Sequence, residues 1–229
     1  MRKRLLFLSA FFLIFHLLNA QRRYGVIEKS NVSTGTIIFS LGSEFCFADT
    51  KNSPFTQNLL KNNDLSVGFR VSFPSNFRYK TQINYSNFTG SDGSDGNRTY
   101  SFSSKVGQLS FQGEYAFNFG KSQGHSSPPN SLYFFVGVGL LESSANLNFI
   151  PKENYSYKTR QDHQIDVSVF IPTGFGYEYN FNNKFLMGLE YNFRYPFSDY
   201  IDGFKPPYPI SKYNDILEGL SLTIGYRIY

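Results

Sequence analysis

The sequence predicts an all-β fold: an eight-stranded antiparallel up-and-down transmembrane β-barrel of the outer-membrane type. Three observations predict it. Eight runs alternate apolar and polar residues with a period of two, the mark of strands whose two faces meet different surroundings. One face of these runs is aromatic or aliphatic, and the other carries isolated charges. The connections alternate between short and long, as in barrels with tight turns on one side of a membrane and loops on the other.

The runs are expected over 35–48, 64–73, 77–88, 104–119, 132–142, 164–180, 185–195 and 216–228. In the first, Ile37, Phe39, Leu41, Phe45 and Phe47 share a face opposite Thr36, Ser40, Glu44 and Cys46, with Ile38 as the exception. The second sets Leu65, Val67, Phe69 and Val71 against Ser66, Gly68, Arg70 and Ser72. After the turn Pro74-Ser75-Asn76, the third sets Phe77, Tyr79, Ile83 and Tyr85 against Arg78, Lys80, Gln82 and Asn84. The fourth opposes Leu109, Phe111, Tyr115 and Phe117 to Ser110, Gln112, Glu114 and Asn118. The fifth is apolar apart from Gly137 and Gly139, with Phe134, Val136, Val138 and Leu140 as its outward set. The sixth, from Ile165 to Tyr179, has Asp166, Ser168, Gly174, Gly176 and Glu178 on its polar face. Asn182-Asn183 closes a turn into the seventh, where Met187, Leu189, Tyr191 and Phe193 oppose Gly188, Glu190, Asn192 and Arg194. The last opposes Leu222, Ile224, Tyr226 and Ile228 to Ser221, Thr223, Gly225 and Arg227.

Long connections are expected at 49–63, 89–103, 143–163 and 196–215, and shorter ones at 74–76, 120–131 and 181–184. An even number of strands places both chain ends on the side of the short turns.

Face chemistry separates two kinds of eight-stranded barrel. A soluble barrel has an apolar lumen and a wet exterior; a membrane barrel is the reverse. The polar faces carry Glu44, Arg70, Arg78, Lys80, Glu114, Asp166, Glu178, Glu190, Arg194 and Arg227. Burying so many ions in an oily core is costly, whereas a membrane barrel pairs them across its lumen and leaves lipid to solvate the aromatic face. Each run meets the ~9–11 residues that a spanning strand requires, and lipid demands that the sheet close on itself. The lumen charges are read as an ion-pair plug, because eight strands enclose only enough room for side chains. Arg70 with Glu114, and Arg227 with Glu178 or Glu190, are plausible pairs by sign.

The composition fits this inside-out arrangement. The 229 residues include 26 Phe and 17 Tyr but no Trp, far too aromatic for a disordered chain. Aromatic girdles are expected from Phe117, Phe119, Tyr177, Tyr179, Tyr191, Phe193, Tyr195 and Tyr226. Beyond the N-terminus no run approaches the ~18 apolar residues of a spanning helix. Arg2, Lys3 and Arg4 precede an apolar stretch from Leu5 to Leu18, and Ala20 offers a small residue for cleavage. Residues 1–20 therefore read as a signal peptide, followed by a periplasmic segment over 21–34 and a barrel domain over 35–229. Removing the leader lowers the formal charge from +5 to +2, which withdraws the compositional support for nucleic acid as a partner.

Candidate chemistry is sparse. Cys46 is the single cysteine, so no disulfide framework exists. His125 and His163 are the mature chain's histidines, and neither stands in a ligand spacing. His163 is the one candidate base for a lipid-modifying enzyme, and a solvated loop histidine is the plainer reading. Residues 90–97 are rich in Gly, Ser and Asp but lack the closing Glu of a calcium loop. Asn31, Asn84, Asn87, Asn97 and Asn154 stand in Asn-x-Ser/Thr sequons, as expected for a chain this rich in Asn and Ser. No catalytic, metal or cofactor site is expected.

Four segments resemble a known family: Tyr100-Ser101-Phe102 with Leu109-Ser110 and Glu114-Tyr115; Tyr133 to Gly139; Ile171 to Tyr177; and Glu190 through Arg194 to Asp199-Tyr200-Ile201-Asp202. Together they are similar to the small outer-membrane β-barrels of Bacteroidota that include PorG of the type IX secretion system. The resemblance covers roughly 35–228, with Asp199, Tyr200 and Asp202 as its external-loop motif. It departs at Gly203, where the family often has a second acid. It implies a non-catalytic barrel in the outer membrane that anchors the periplasmic ring, a lipoprotein and its partner, through residues 21–33 and 120–131. A stand-alone barrel serving envelope integrity or adhesion through its external loops is the alternative.

Overall fold

The structure is a computed structural model that describes residues 33–47, 62–91, 99–120, 130–150, 158–159, 165–198, 201, 203–205 and 215–228. The expected leader and N-terminal segment, His125, His163, residues 92–98 and the motif residues Asp199, Tyr200 and Asp202 lie outside the described residues. The chain divides into two units, Met1–Val32 and Ser33–Tyr229, and the second is the barrel.

The described residues form ten strands: β1 (Thr34–Phe47), β2 (Asn63–Ser72), β3 (Phe77–Ser91), β4 (Thr99–Phe119), β5 (Asn130–Ile150), β6 (Lys158–Thr159), β7 (Ile165–Asn180), β8 (Phe185–Pro196), β9 (Phe204–Lys205) and β10 (Ile216–Ile228). Eight of them close a barrel in the order β1-β10-β8-β7-β5-β4-β3-β2. Each pairs antiparallel with its neighbours, and closure runs from Gly35 opposite Ile228 to Phe47 opposite Ile216. Closure leaves no open edge around the ring, so its backbone donors and acceptors are satisfied without water. The short strands β6 and β9 form a separate two-stranded sheet.

The short turns are held by local hydrogen bonds. Asn182 Oδ1 accepts from the backbone N–H groups of Lys184 (2.8 Å) and Phe185 (2.7 Å), the Asx geometry that reverses a chain. At 73–76, Phe73 N–H donates to the Phe77 carbonyl, and Ala116 N–H on β4 donates to the Asn76 carbonyl. These turns, the start of β1 and the end of β10 all lie at one end of the barrel.

The exterior is apolar. Val136 (60% exposed), Phe39 (55%) and Ile83 (50%) belong to an aliphatic and aromatic belt on the outside of the ring. Such a belt in water would be an aggregation surface; in hydrocarbon it is the favoured exterior. Aromatic rings gather toward the short-turn end, in edge-on pairs such as Phe77–Tyr115 (5.1 Å), Tyr115–Phe117 (5.0 Å) and Tyr179–Phe181 (5.0 Å).

Four expectations are corrected. Phe45, placed by parity on the outward face, is buried, so protein covers the exterior at that end of β1. β4 and β5 are 21 residues each rather than 16 and 11, because Ser- and Asn-rich stretches continue the strand pattern beyond the apolar belt. The connection before β4 therefore shrinks to 92–98, and β5 absorbs the first part of the loop expected from 143. The lumen is also not polar throughout. At the long-connection end it holds an apolar cluster of Cys46, Phe88, Phe102, Val106, Leu141, Phe170, Ile201 and Leu217.

Candidate functional site

The lumen-facing charges meet in two groups. Nearer the short-turn end, Arg70 on β2 lies 3.0 Å from Glu114 on β4 and is hydrogen-bonded to Glu178 on β7. Arg78 approaches the same Glu178 oxygen at 3.3 Å, and Arg227 approaches its other oxygen at 3.9 Å. Three guanidinium groups thus surround one carboxylate. Lys80 donates to Glu190 at 2.7 Å and lies 3.5 Å from Glu114. The Tyr133 hydroxyl donates to the same Glu190 oxygen at 2.9 Å, and the Arg70 guanidinium lies 5.3 Å from the Tyr133 ring centre. Every one of these ions is at least nine-tenths buried.

Toward the other end, Arg194 on β8 binds Glu44 on β1 and Asp64 on β2, the latter at 3.2 Å. Gln108 donates to both Glu44 oxygens, and Asn84 donates to Asp64. Above this group sits the apolar cluster. Ile201 reaches it from the connection between β8 and β10: its backbone N–H donates to Asp215 at 3.0 Å, and its carbonyl accepts from Ser104 Oγ at 2.7 Å. The Ile201 backbone is therefore tied to β4 and to Asp215 just before β10, with its side chain in the apolar cluster.

Strand parity explains why these residues converge. An antiparallel barrel aims alternate side chains inward, and eight strands leave room for one packed layer of them. Small residues make that room. A Cβ on Gly176 would collide with the Tyr133 ring, and one on Gly139 with the Phe170 ring, so bulky lumen residues of one strand sit over glycines of the next.

Of the charges singled out in the sequence, Arg70, Arg78, Lys80, Glu114, Glu178, Glu190 and Arg227 fall in the first group, and Glu44 and Arg194 in the second. Glu190 takes Lys80 rather than Arg227, because Lys80 reaches it across the lumen from β3. Asp166 is placed apart and accepts from Ser198 Oγ. Three members escaped sequence reasoning: Asp64, Gln108 and Tyr133. Asp64 stands two residues before Ser66 on the inward parity, so one further step of the alternation finds it. Tyr133 falls inward of the expected outward set, but nothing in its apolar run marks it as a partner for the lumen ions. Among the described residues, no group of three or more His, Cys, Asp or Glu side chains is arranged to hold a metal ion.

The family profile described as "Domain of unknown function (DUF6089)" matches residues 10–216. No curated protein matches the chain by sequence. Among solved structures the chain is similar to Ail, the attachment invasion locus protein of Yersinia pestis, in complex with the heparin analogue sucrose octasulfate. That match has 12% identity over 86% of this chain and 99% of that one, with a TM-score of 0.45. It is also similar to the N-terminal β-barrel domain of Pseudomonas aeruginosa OprF (12% identity, 85% and 97% covered, TM-score 0.43). A third is the outer membrane protein OprG from Pseudomonas aeruginosa (11% identity, 86% and 96% covered, TM-score 0.41).

Proposed function

The chain belongs to the DUF6089 family, whose description assigns no role, and we propose that it is a non-catalytic outer-membrane β-barrel, a structural component of the type IX secretion system that anchors the periplasmic ring to the outer membrane. One observation carries the non-catalytic, non-conducting part of this reading. The exterior is an apolar belt, while the lumen is filled in turn by a charge group, a second charge group and an apolar cluster. A barrel of this kind sits stably in lipid and offers its ends, not its lumen, to other molecules. The resemblance of Tyr133–Gly139, Ile171–Tyr177 and Glu190–Arg194 to the PorG-containing family supports the secretion role. On this reading the short-turn end and the N-terminus face the periplasm. Residues 21–33 and the turn over 120–131 then contact the ring lipoprotein and its partner.

Deleting the gene tests it. Cargo secretion is expected to stop, and the tagged protein is expected to copurify with the ring. Normal secretion in the deletion strain would sink the proposal.

The extension of β4 and β5 favours a second reading. At 21 residues each, they exceed the ~9–11 residues needed to span. Lys105, Glu142 and Asn146 are exposed where they leave the belt. A sheet standing clear of the membrane suits adhesion or envelope contacts. That role predicts attachment or envelope defects with secretion intact.

A further inference from the structure

The ladder between β5 and β7 is interrupted. It runs from Asn130 opposite Tyr179 to Val136 opposite Thr173, and resumes from Gly139 opposite Phe170 to Ser144 opposite Ile165. In the same register Gly137 faces Pro172 and Val138 faces Ile171, but neither pair belongs to the ladder. The other ladders of the ring are continuous over their described residues.

Pro172 is the cause. Proline has no backbone N–H to donate, so in sheets it is confined to edges and bulges, and a closed ring has no edge to offer it. The Gly137 carbonyl loses its ladder donor, and the Thr173 hydroxyl beside the break donates to the Phe135 carbonyl instead, at 3.1 Å. The break lies at the depth of the apolar belt, with Val136 and Val138 exposed on its β5 side and Ile171 and Thr173 on its β7 side. A carbonyl short of a donor is costly in hydrocarbon. This seam is therefore held less firmly than the rest of the wall.

The lumen side of the seam is apolar and thin. Gly137, Gly139 and Gly174 bring no side chain to it. The Phe170 ring lies over Gly139 and the Phe135 ring over Gly174, where an added Cβ would strike each ring. Phe170 and Leu141, on the two strands that flank the break, both belong to the apolar cluster. Hydrocarbon thus lies on one side of the weakened wall and the apolar cluster on the other.

We propose that the β5–β7 seam is a lateral gate through which the acyl chain of a membrane lipid reaches the apolar cluster, with Phe170 turning off Gly139 to admit it. Position names the occupant, because the molecule that meets the wall at the depth of the belt is a lipid tail. The gate goes beyond the secretion reading, which concerns partners at the ends of the barrel, and needs only that the belt lie in a membrane.

The test uses the full chain refolded into phosphatidylcholine vesicles that carry a trace of phosphatidylcholine with a diazirine in its acyl chain. After irradiation, adducts are mapped by mass spectrometry. They are expected on the inward Phe170 and Leu141 as well as on the outward Val136 and Val138. P172A returns the missing N–H to the ladder. Its inward adducts are expected to fall about fivefold, the weight of one hydrogen bond in an opening equilibrium, with the outward adducts unchanged. A parent without inward adducts overturns the proposal, as do inward adducts that P172A leaves unchanged. If P172A fails to fold, the parent decides by comparison with Ile38, buried on β1 in the opposite wall. Adducts at Phe170 and Leu141 but not at Ile38 support entry at the seam, and equal adducts at all three overturn it.

Discussion

Arg70 on β2 and Glu178 on β7, 108 residues apart in the chain, are joined by a direct charge-assisted hydrogen bond inside the lumen. Glu178 is also the carboxylate approached by Arg78 and Arg227, so one side chain neutralises part of three. Removing it is expected to cost far more than removing any one partner. Breaking a buried ion pair from one side leaves uncompensated charge, at about 3–5 kcal/mol. E178Q should therefore lower the urea midpoint of the detergent-solubilised barrel well beyond the shift caused by R78Q. Equal shifts would show that the charge is not shared in this way.

Packing between Tyr133 and Gly176 gives a second expectation. A methyl group at Gly176 would overlap the Tyr133 ring, whereas at Gly107 it would meet nothing within 4 Å. G176A is expected to destabilise by about 1–3 kcal/mol through overpacking, and G107A to stay within about 0.5 kcal/mol of the parent. Denaturant unfolding of the two variants side by side measures the difference. A G107A penalty as large as that of G176A would contradict the lumen packing.

The apolar belt predicts a depth-dependent cost. Val136 is the most exposed of the β5 belt residues, at 60%. V136R is expected to lose about 2–4 kcal/mol on folding into lipid vesicles, the cost of an arginine at the bilayer midplane. K105A, at an exposed position where β4 leaves the belt, should have little effect. If V136R folds into vesicles as readily as the parent, that face does not meet hydrocarbon.

Ile201 packs into the lumen cluster at the long-connection end together with Cys46. Because Cys46 is the chain's single cysteine, its labelling reports on that packing without further engineering. In the parent, maleimide modification is expected to be slow. In I201D, which places a carboxylate among Phe88, Phe102 and Phe170, residue 201 should leave the cluster and labelling should accelerate at least tenfold, about 1.4 kcal/mol of lost protection. Unchanged labelling in a folded I201D barrel would show that Ile201 does not protect Cys46.

Alternation alone made the barrel legible. The period of two marks a strand, its apolar face marks the lipid side, and the eight runs with alternating connections define an up-and-down closed sheet. Where the alternation has contrast, as at Arg70, Glu114, Glu178 and Arg194, inward placement follows from parity. In the fifth run the outward set Phe134, Val136, Val138 and Leu140 is still placed correctly, but lack of contrast leaves the role of its inward residues unmarked. Tyr133 and Phe135 lie inward in a run apolar on both faces, with no charge to mark Tyr133 as a partner of Glu190, and Phe45 keeps outward parity but is buried. Strand ends were equally hidden, since Ser and Asn continue β4 and β5 without an apolar stripe to mark them.

What the sequence by itself determined is the fold, its polarity and which charges face inward, because these depend only on local period and composition. Partner choice was decided by the tertiary structure. Glu190 chose Lys80, Glu178 gathered three arginines, and Ile201 joined Phe88, Phe102 and Phe170 in the apolar cluster. The physical reason is geometric. Ion pairing across a lumen depends on the heights at which strands meet, and those heights are set by the pairing register around the whole ring, which no single strand encodes.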